Sequence, residues 1–146
     1  MDSTGQKIEV VVSGAVLREA FLFATFVRSL LAALVMVDYL SIKADPSIPS
    51  LYSSGVVFGR EPRGVETFVD LHEVRRKGWG DCAHLAAWRC AELRAKGERA
   101  TLRVTWQVDP ARRLRIFHVL VRRADRSVED PSKLLGMNSI AESVAA

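Results

Sequence analysis

The run Gly78-Trp79-Gly80-Asp81-Cys82-Ala83-His84-Leu85-Ala86-Ala87-Trp88-Arg89, continuing to Gly97, organises the reading of this chain. Two glycines and an aspartate carry the backbone through a tight bend, and an alanine- and leucine-rich segment follows that reads as helix and stops at a glycine. Asp81 suits the N-cap, because its carboxylate can accept from the orphan amides of the first turn. Cys82 then falls at the first helical position, where the positive end of the helix dipole favours a thiolate. That is the setting of a cysteine nucleophile, so the rest of the chain is read for what it supplies to Cys82.

At 146 residues, 49% hydrophobic and 26% charged, the chain reads as one globular domain over 1–146, with 1–6 and 138–146 expected to be flexible. The net charge of +4 sits in the C-terminal half, where Arg60 to Lys133 holds 17 Lys/Arg against 11 Asp/Glu. No recognisable nucleic-acid motif accompanies that excess. Cys82 and Cys90, the two cysteines, lie roughly 12 Å apart along one helix and cannot pair with each other, which suits a reducing compartment. The first residues lack the basic start of a secretory signal.

Along the chain, Ile8 to Val12 reads as a short strand or extended lead-in. Ala15 to about Ile42 is the most apolar part and reads as one long helix, with a bend expected near Arg28-Ser29. Its length suits a membrane span, but an arginine at the centre of a span costs roughly 2.5–3.5 kcal/mol. A helix buried against the domain is therefore expected, and membrane insertion is not. Leu51 to Phe58 reads as an irregular turn into a short extended piece, Arg60 to Gly64 as a polar loop, and Glu66 to Lys77 as a short helix or turn. After Gly97 the period changes from helical to alternating: one strand from Thr101 to Val108, a second from Leu114 to Val121, and a third, short one from Ser127 to Asp130. Ser132 to Ala146 reads as a tail with weak helical signal. Helices first and antiparallel strands last make the fold class α+β.

A thiol nucleophile needs a base, and the base needs a partner that holds its tautomer. His84 lies roughly 200° around the helix from Cys82 and faces elsewhere. His72 sits in a charged, solvated segment. His118 lies on a strand face with Leu114, Ile116 and Leu120, where a purely structural chain would place an aliphatic residue. If Ala124-Asp125-Arg126 forms a three-residue loop, Arg123 faces Ser127 and Leu120 faces Asp130. Asp130 is then the diagonal same-face neighbour of His118, roughly 7–8 Å away at Cα. A two-residue loop would put Asp130 on the wrong face. The amide of Cys82 is a natural donor to an oxyanion, and Trp79 or Tyr52 is considered as a second support. A metal site built on Cys82, His84 and Cys90 fails on spacing, and neither metal nor cofactor is expected.

Gly80-Asp81-Cys82 before a helix, a histidine on a strand and an aspartate on the next strand resemble the transglutaminase-like cysteine protease superfamily. More closely, Leu51-Tyr52-Ser53-Ser54-Gly55-Val56, Gly78 to Cys82, Leu85 to Arg94 and Glu129-Asp130-Pro131-Ser132-Lys133-Leu134-Leu135-Gly136-Met137 are similar to a small family encoded by tailed bacteriophages and prophages. The resemblance implies a papain/transglutaminase-like core, with the nucleophile helix packed on a small antiparallel sheet. It also implies Cys82 as nucleophile, His118 as general base and Asp130 as orienting acid. A peptide or protein substrate, other phage virion proteins as partners, and a place in the bacterial host cytoplasm or the virion go with it. Members of that family tend to carry acidic residues just after the cysteine, where this chain has Ala83 and His84. Three functions remain open: a peptidase or amidase, a virion structural or assembly protein without turnover, and a cell-wall peptide amidase.

Overall fold

A computed structural model describes residues 11–62, 65–109, 111 and 114–138. The lead-in expected at Ile8 to Val12 falls mostly outside them, and Val11 to Ser13 have no regular structure. The expected flexible ends also lie outside, apart from Asn138. The order is helices α1 (Gly14–Arg18) and α2 (Ala20–Ala44), a 3-10 turn (Leu51–Ser53), strand β1 (Val57–Phe58), α3 (Leu71–Lys77), β2 (Trp79–Gly80) and α4 (Cys82–Ala95), then β3 (Thr101–Asp109), β4 (Leu114–Arg122), β5 (Val128–Glu129) and α5 (Pro131–Leu134). The chain is α+β, with an antiparallel sheet β3-β4-β5. It also has a two-stranded parallel sheet β1-β2 that no periodicity announced, since two residues are too few to show a pattern.

Helix α4 is the hub. Eleven of its fourteen residues are buried, and it supplies two core clusters at once. Cys82, Ala83, Ala86, Ala87, Cys90, Ala91 and Leu93 pack with Val27, Leu31, Leu34 and Val35 of α2 and with Val119 and Val121 of β4. Leu85 and Trp88 pack on the other side with Leu51, Val56, Leu71 and Val74. A helix that buries both faces cannot be amphipathic, and its alanines let neighbouring elements approach closely. The expected core roles of Trp88, Leu85, Leu93 and Cys90 hold.

Two expectations for the N-terminal helix need correction. The interruption falls at Glu19, whose carboxylate caps α2 by accepting from Phe21 and Leu22, and α2 runs unbroken through Arg28-Ser29. The helix is also buried on one face only. Val27, Leu31, Leu34, Val35 and Asp38 face the core, whereas Phe21, Leu22, Met36, Val37 and Leu40 are exposed. Its most apolar 18-residue window has a mean hydropathy of 2.2, long and apolar enough to cross a membrane, and 22% of that window is buried.

Asp70 caps α3 by accepting from Glu73, so the helical part of the Glu66 to Lys77 segment begins only at Leu71. Gly78 ends it at φ 81°, a left-handed turn that costs a glycine little. Gly59 lets β1 approach β2: a Cβ there would stand 2.7 Å from the Trp79 ring.

Candidate functional site

The bend at Gly78 to Asp81 delivers Cys82 to the first position of α4, as its residues indicated. One Asp81 oxygen accepts from the amides of Ala83 (3.0 Å) and His84 (3.1 Å). In return the amide of Asp81 donates to Nδ1 of His84 (3.3 Å), so His84 fills the place a glutamate takes in the usual capping box. Its Nε2–H donates to the Thr67 carbonyl (2.8 Å). His84 therefore serves the loop before α3, consistent with its expected orientation away from Cys82.

His118 and Asp130 come together as the hairpin count required. Arg123 faces Ser127, with an amide-to-carbonyl bond of 2.8 Å, and the ladder pairs Arg122 with Val128 and Val121 with Glu129. Arg126 sits in the loop at φ 71°. This is the three-residue loop, and it puts Asp130 on the His118 face. The ring Nε2 lies 2.9 Å from Oδ2 of Asp130. The other oxygen of Asp130 accepts from the Lys133 amide (3.2 Å), so the same carboxylate caps α5. Both oxygens are thus fixed, one by the backbone and one by the imidazole.

Burial works to raise the pKa of Asp130, but the hydrogen bond from His118 and the Lys133 amide outweigh it and hold the carboxyl below its ordinary range. An ionised Asp130 only accepts, so Nε2 of His118 carries a proton, and in a neutral ring Nδ1 is the nitrogen with the lone pair. That Nδ1 is buried and has no hydrogen-bond partner among the described residues. Trp88 Nε1 and Ser132 Oγ are likewise unpartnered among the described residues, and of the three atoms His118 Nδ1 is the base.

Cys82 reaches the same strand. Its sulfur interacts with the backbone N–H of Val119, the residue after His118. This edge of β4 is open because β5 ends at Glu129 and Pro131 cannot extend the ladder. The expectation that the helix start lowers the thiol pKa does not hold. Burial pushes the Cys82 thiol up, the charges of Asp81 and Glu66 push it further, and the amides of Val119 and Ala83 only partly offset them. In this structure Cys82 rests as a buried, neutral thiol, 5% exposed.

Both residues considered as oxyanion supports, Trp79 and Tyr52, make cation–ring contacts. The Trp79 ring lies under the Lys77 ammonium (3.8 Å) and over Gly59. Tyr52 stacks under the Arg89 guanidinium (4.9 Å) and bonds through its hydroxyl to Glu129. At the start of α4 the Asp81 cap takes the amides of Ala83 and His84 and not that of Cys82.

A polar cluster lies at the Asp81 end of α4. Glu61, Asp81 and His84 hold their ligand atoms within 4.8 Å of one another. Glu61 already accepts from the amide and hydroxyl of Thr67, and both nitrogens of His84 have protein partners. The cluster is thereby a closed hydrogen-bonded latch and not an open ligand set. Its members lie far apart in sequence except for Asp81 and His84, so no spacing could reveal it.

No protein-family model matches this chain, and no curated protein or solved structure matches it.

Proposed function

We propose that the chain is a thiol-dependent acyl-transfer enzyme, a peptidase or amidase on a papain/transglutaminase-like core, of phage or prophage origin. The observation that carries this reading is the open Nδ1 of His118, buried on a ring whose other nitrogen is bound to Asp130. Such a ring is oriented and ready to accept one proton. In the reaction, the Cys82 S–H proton passes to Nδ1 and the sulfur attacks a peptide or side-chain amide carbonyl. The carbonyl oxygen becomes an oxyanion facing the Cys82 amide at the start of α4. The C–N bond then breaks, His118 returns the proton to the departing amine, and an acyl-thioester remains. Water or a second amine, deprotonated by His118, releases it. The depressed pKa of Asp130 fits its part: it stays ionised and stabilises the imidazolium formed in both halves.

The buried, neutral state of Cys82 favours a second reading, a virion structural or assembly protein that keeps the fold without turnover. Mixed peptides or purified peptidoglycan, incubated with the protein and hydroxylamine, separate the two. The enzyme reading expects peptide hydroxamates that disappear in Cys82→Ala. No hydroxamate and no released amine from either material, with the protein co-purifying with particles at fixed stoichiometry, would establish the structural reading instead.

A further inference from the structure

We infer that Arg89 is a positioning residue for this site. It clamps the cysteine-bearing helix, through Glu129, to the strand end that carries Asp130. The inference rests on reading Cys82, His118 and Asp130 as one site. Arg89 follows Cys82 by seven residues, which is two helical turns, so both lie on one stripe of α4 roughly 10 Å apart. That stripe meets the sheet at two points: Cys82 at Val119, and Arg89 at Glu129, which pairs with Val121.

The second point is a two-pronged ion pair, with Nε to Oε2 at 2.7 Å and an Nη to Oε1 at 3.3 Å. Both side chains are largely buried, at 13% and 17% exposure. The third guanidinium nitrogen donates to Glu92 (3.2 Å), whose other oxygen accepts from the Leu51 amide. Tyr52 covers the guanidinium and bonds to Glu129. Tyr52, considered as an oxyanion support from the sequence, is on this reading a wall of the clamp.

The apolar contacts of α4 carry no directional constraint, whereas a planar fork on a carboxylate does. β5 contributes only two ladder residues, of which Glu129 is the last, and proline follows Asp130. Asp130 follows Glu129 directly, so what holds Glu129, the fork of Arg89 and a longer contact from Arg123 (3.5 Å), adds to the Lys133 amide in placing Asp130 and through it the ring of His118.

The test uses the full chain and two readouts. One is the downfield Nε2–H proton resonance of His118, a signature of its bond to Asp130 that does not require Cys82 to react. The other is the iodoacetamide rate at Cys82. Arg89→Gln and Glu129→Gln should each broaden or lose the resonance and slow alkylation about tenfold, the size of effect expected from small misplacements. Arg89→Lys keeps the charge but not the fork and should fall between, and it carries the test if Arg89→Gln does not fold. Glu73→Gln breaks the exposed Arg76–Glu73 pair on α3 (2.8 Å) and should leave both readouts as in the wild type. An unchanged His118 resonance in Arg89→Gln, or an equal loss in Glu73→Gln, overturns the inference. A wild-type Cys82 no faster than Cys90 counts against the enzyme reading alone, because the His118 resonance still decides the clamp.

Discussion

Asp38 shows how one residue can cost stability and still be kept. It sits on the buried face of α2, 1% exposed, and its Oδ1 accepts from the Leu71 amide (2.9 Å) at the start of α3. Burial raises its pKa from 3.8 to about 8, the Leu71 amide pulls it down a little, and the charge of Asp70 adds to the rise. Below about pH 4 both folded and unfolded chains hold this proton. Between about 4 and 8 the unfolded chain releases it while the folded chain keeps it, so stability falls as pH rises through that window. Above 8 the full penalty is in place. Urea midpoints at pH 5 and pH 8.5 should therefore differ in the wild type, with the higher pH the less stable. Asp38→Asn keeps an acceptor for Leu71 and cannot ionise, so its two midpoints should lie much closer. Equal sensitivity to pH in both proteins would show that Asp38 is not the group responsible.

At the scale of elements, the junction between Gly78 and α4 does two opposed things. Asp81 stabilises the helix as its cap, and its charge raises the pKa of the thiol beside it. The two effects separate by substitution. Asp81→Asn retains the cap and removes the charge, so the pH midpoint of Cys82 alkylation should move down while stability stays within about 0.5 kcal/mol. Asp81→Ala removes both, and should also destabilise by about 1 kcal/mol. A midpoint that moves up in either variant would contradict the sign assigned here. The junction and the β4–β5 hairpin were the most legible parts of the sequence. Each is governed by local chemistry: a cap residue, a left-handed glycine, a three-residue loop that fixes which face Asp130 takes. The β1-β2 pair, the Glu61–Thr67–His84 latch and the Arg89–Glu129 pair were not legible. They join residues distant in sequence, and no periodicity marks a bond between elements. The rise in the Cys82 pKa was missed for the same reason, since burial is a property of the packed molecule and not of the helix start.

Across the whole molecule, α2 divides into a face that packs on α4 and a face whose apolar side chains are exposed. Leu31, 2% exposed, packs in the cluster that includes Cys82, whereas Leu40 is 58% exposed. Leu31→Ala should cost about 2–5 kcal/mol in chemical denaturation, and Leu40→Ala should stay within about 0.5 kcal/mol in dilute monomer. A large loss at Leu40 would show that the outer face is covered in solution. The sequence made this helix legible as apolar and long, but its even hydrophobicity hid which side packs. Because α2 and β4 together bury Cys82, catalysis on the proposed reading requires His118 to draw the proton from a thiol that is otherwise inert. The most direct measurement is the rate of iodoacetamide addition at Cys82 and at Cys90, resolved by peptide mass at neutral pH, in the wild type and in His118→Ala. The account predicts that Cys82 reacts faster than Cys90 and that this advantage is lost in His118→Ala. Equal rates at the two cysteines, or an advantage at Cys82 that survives the loss of His118, would contradict it.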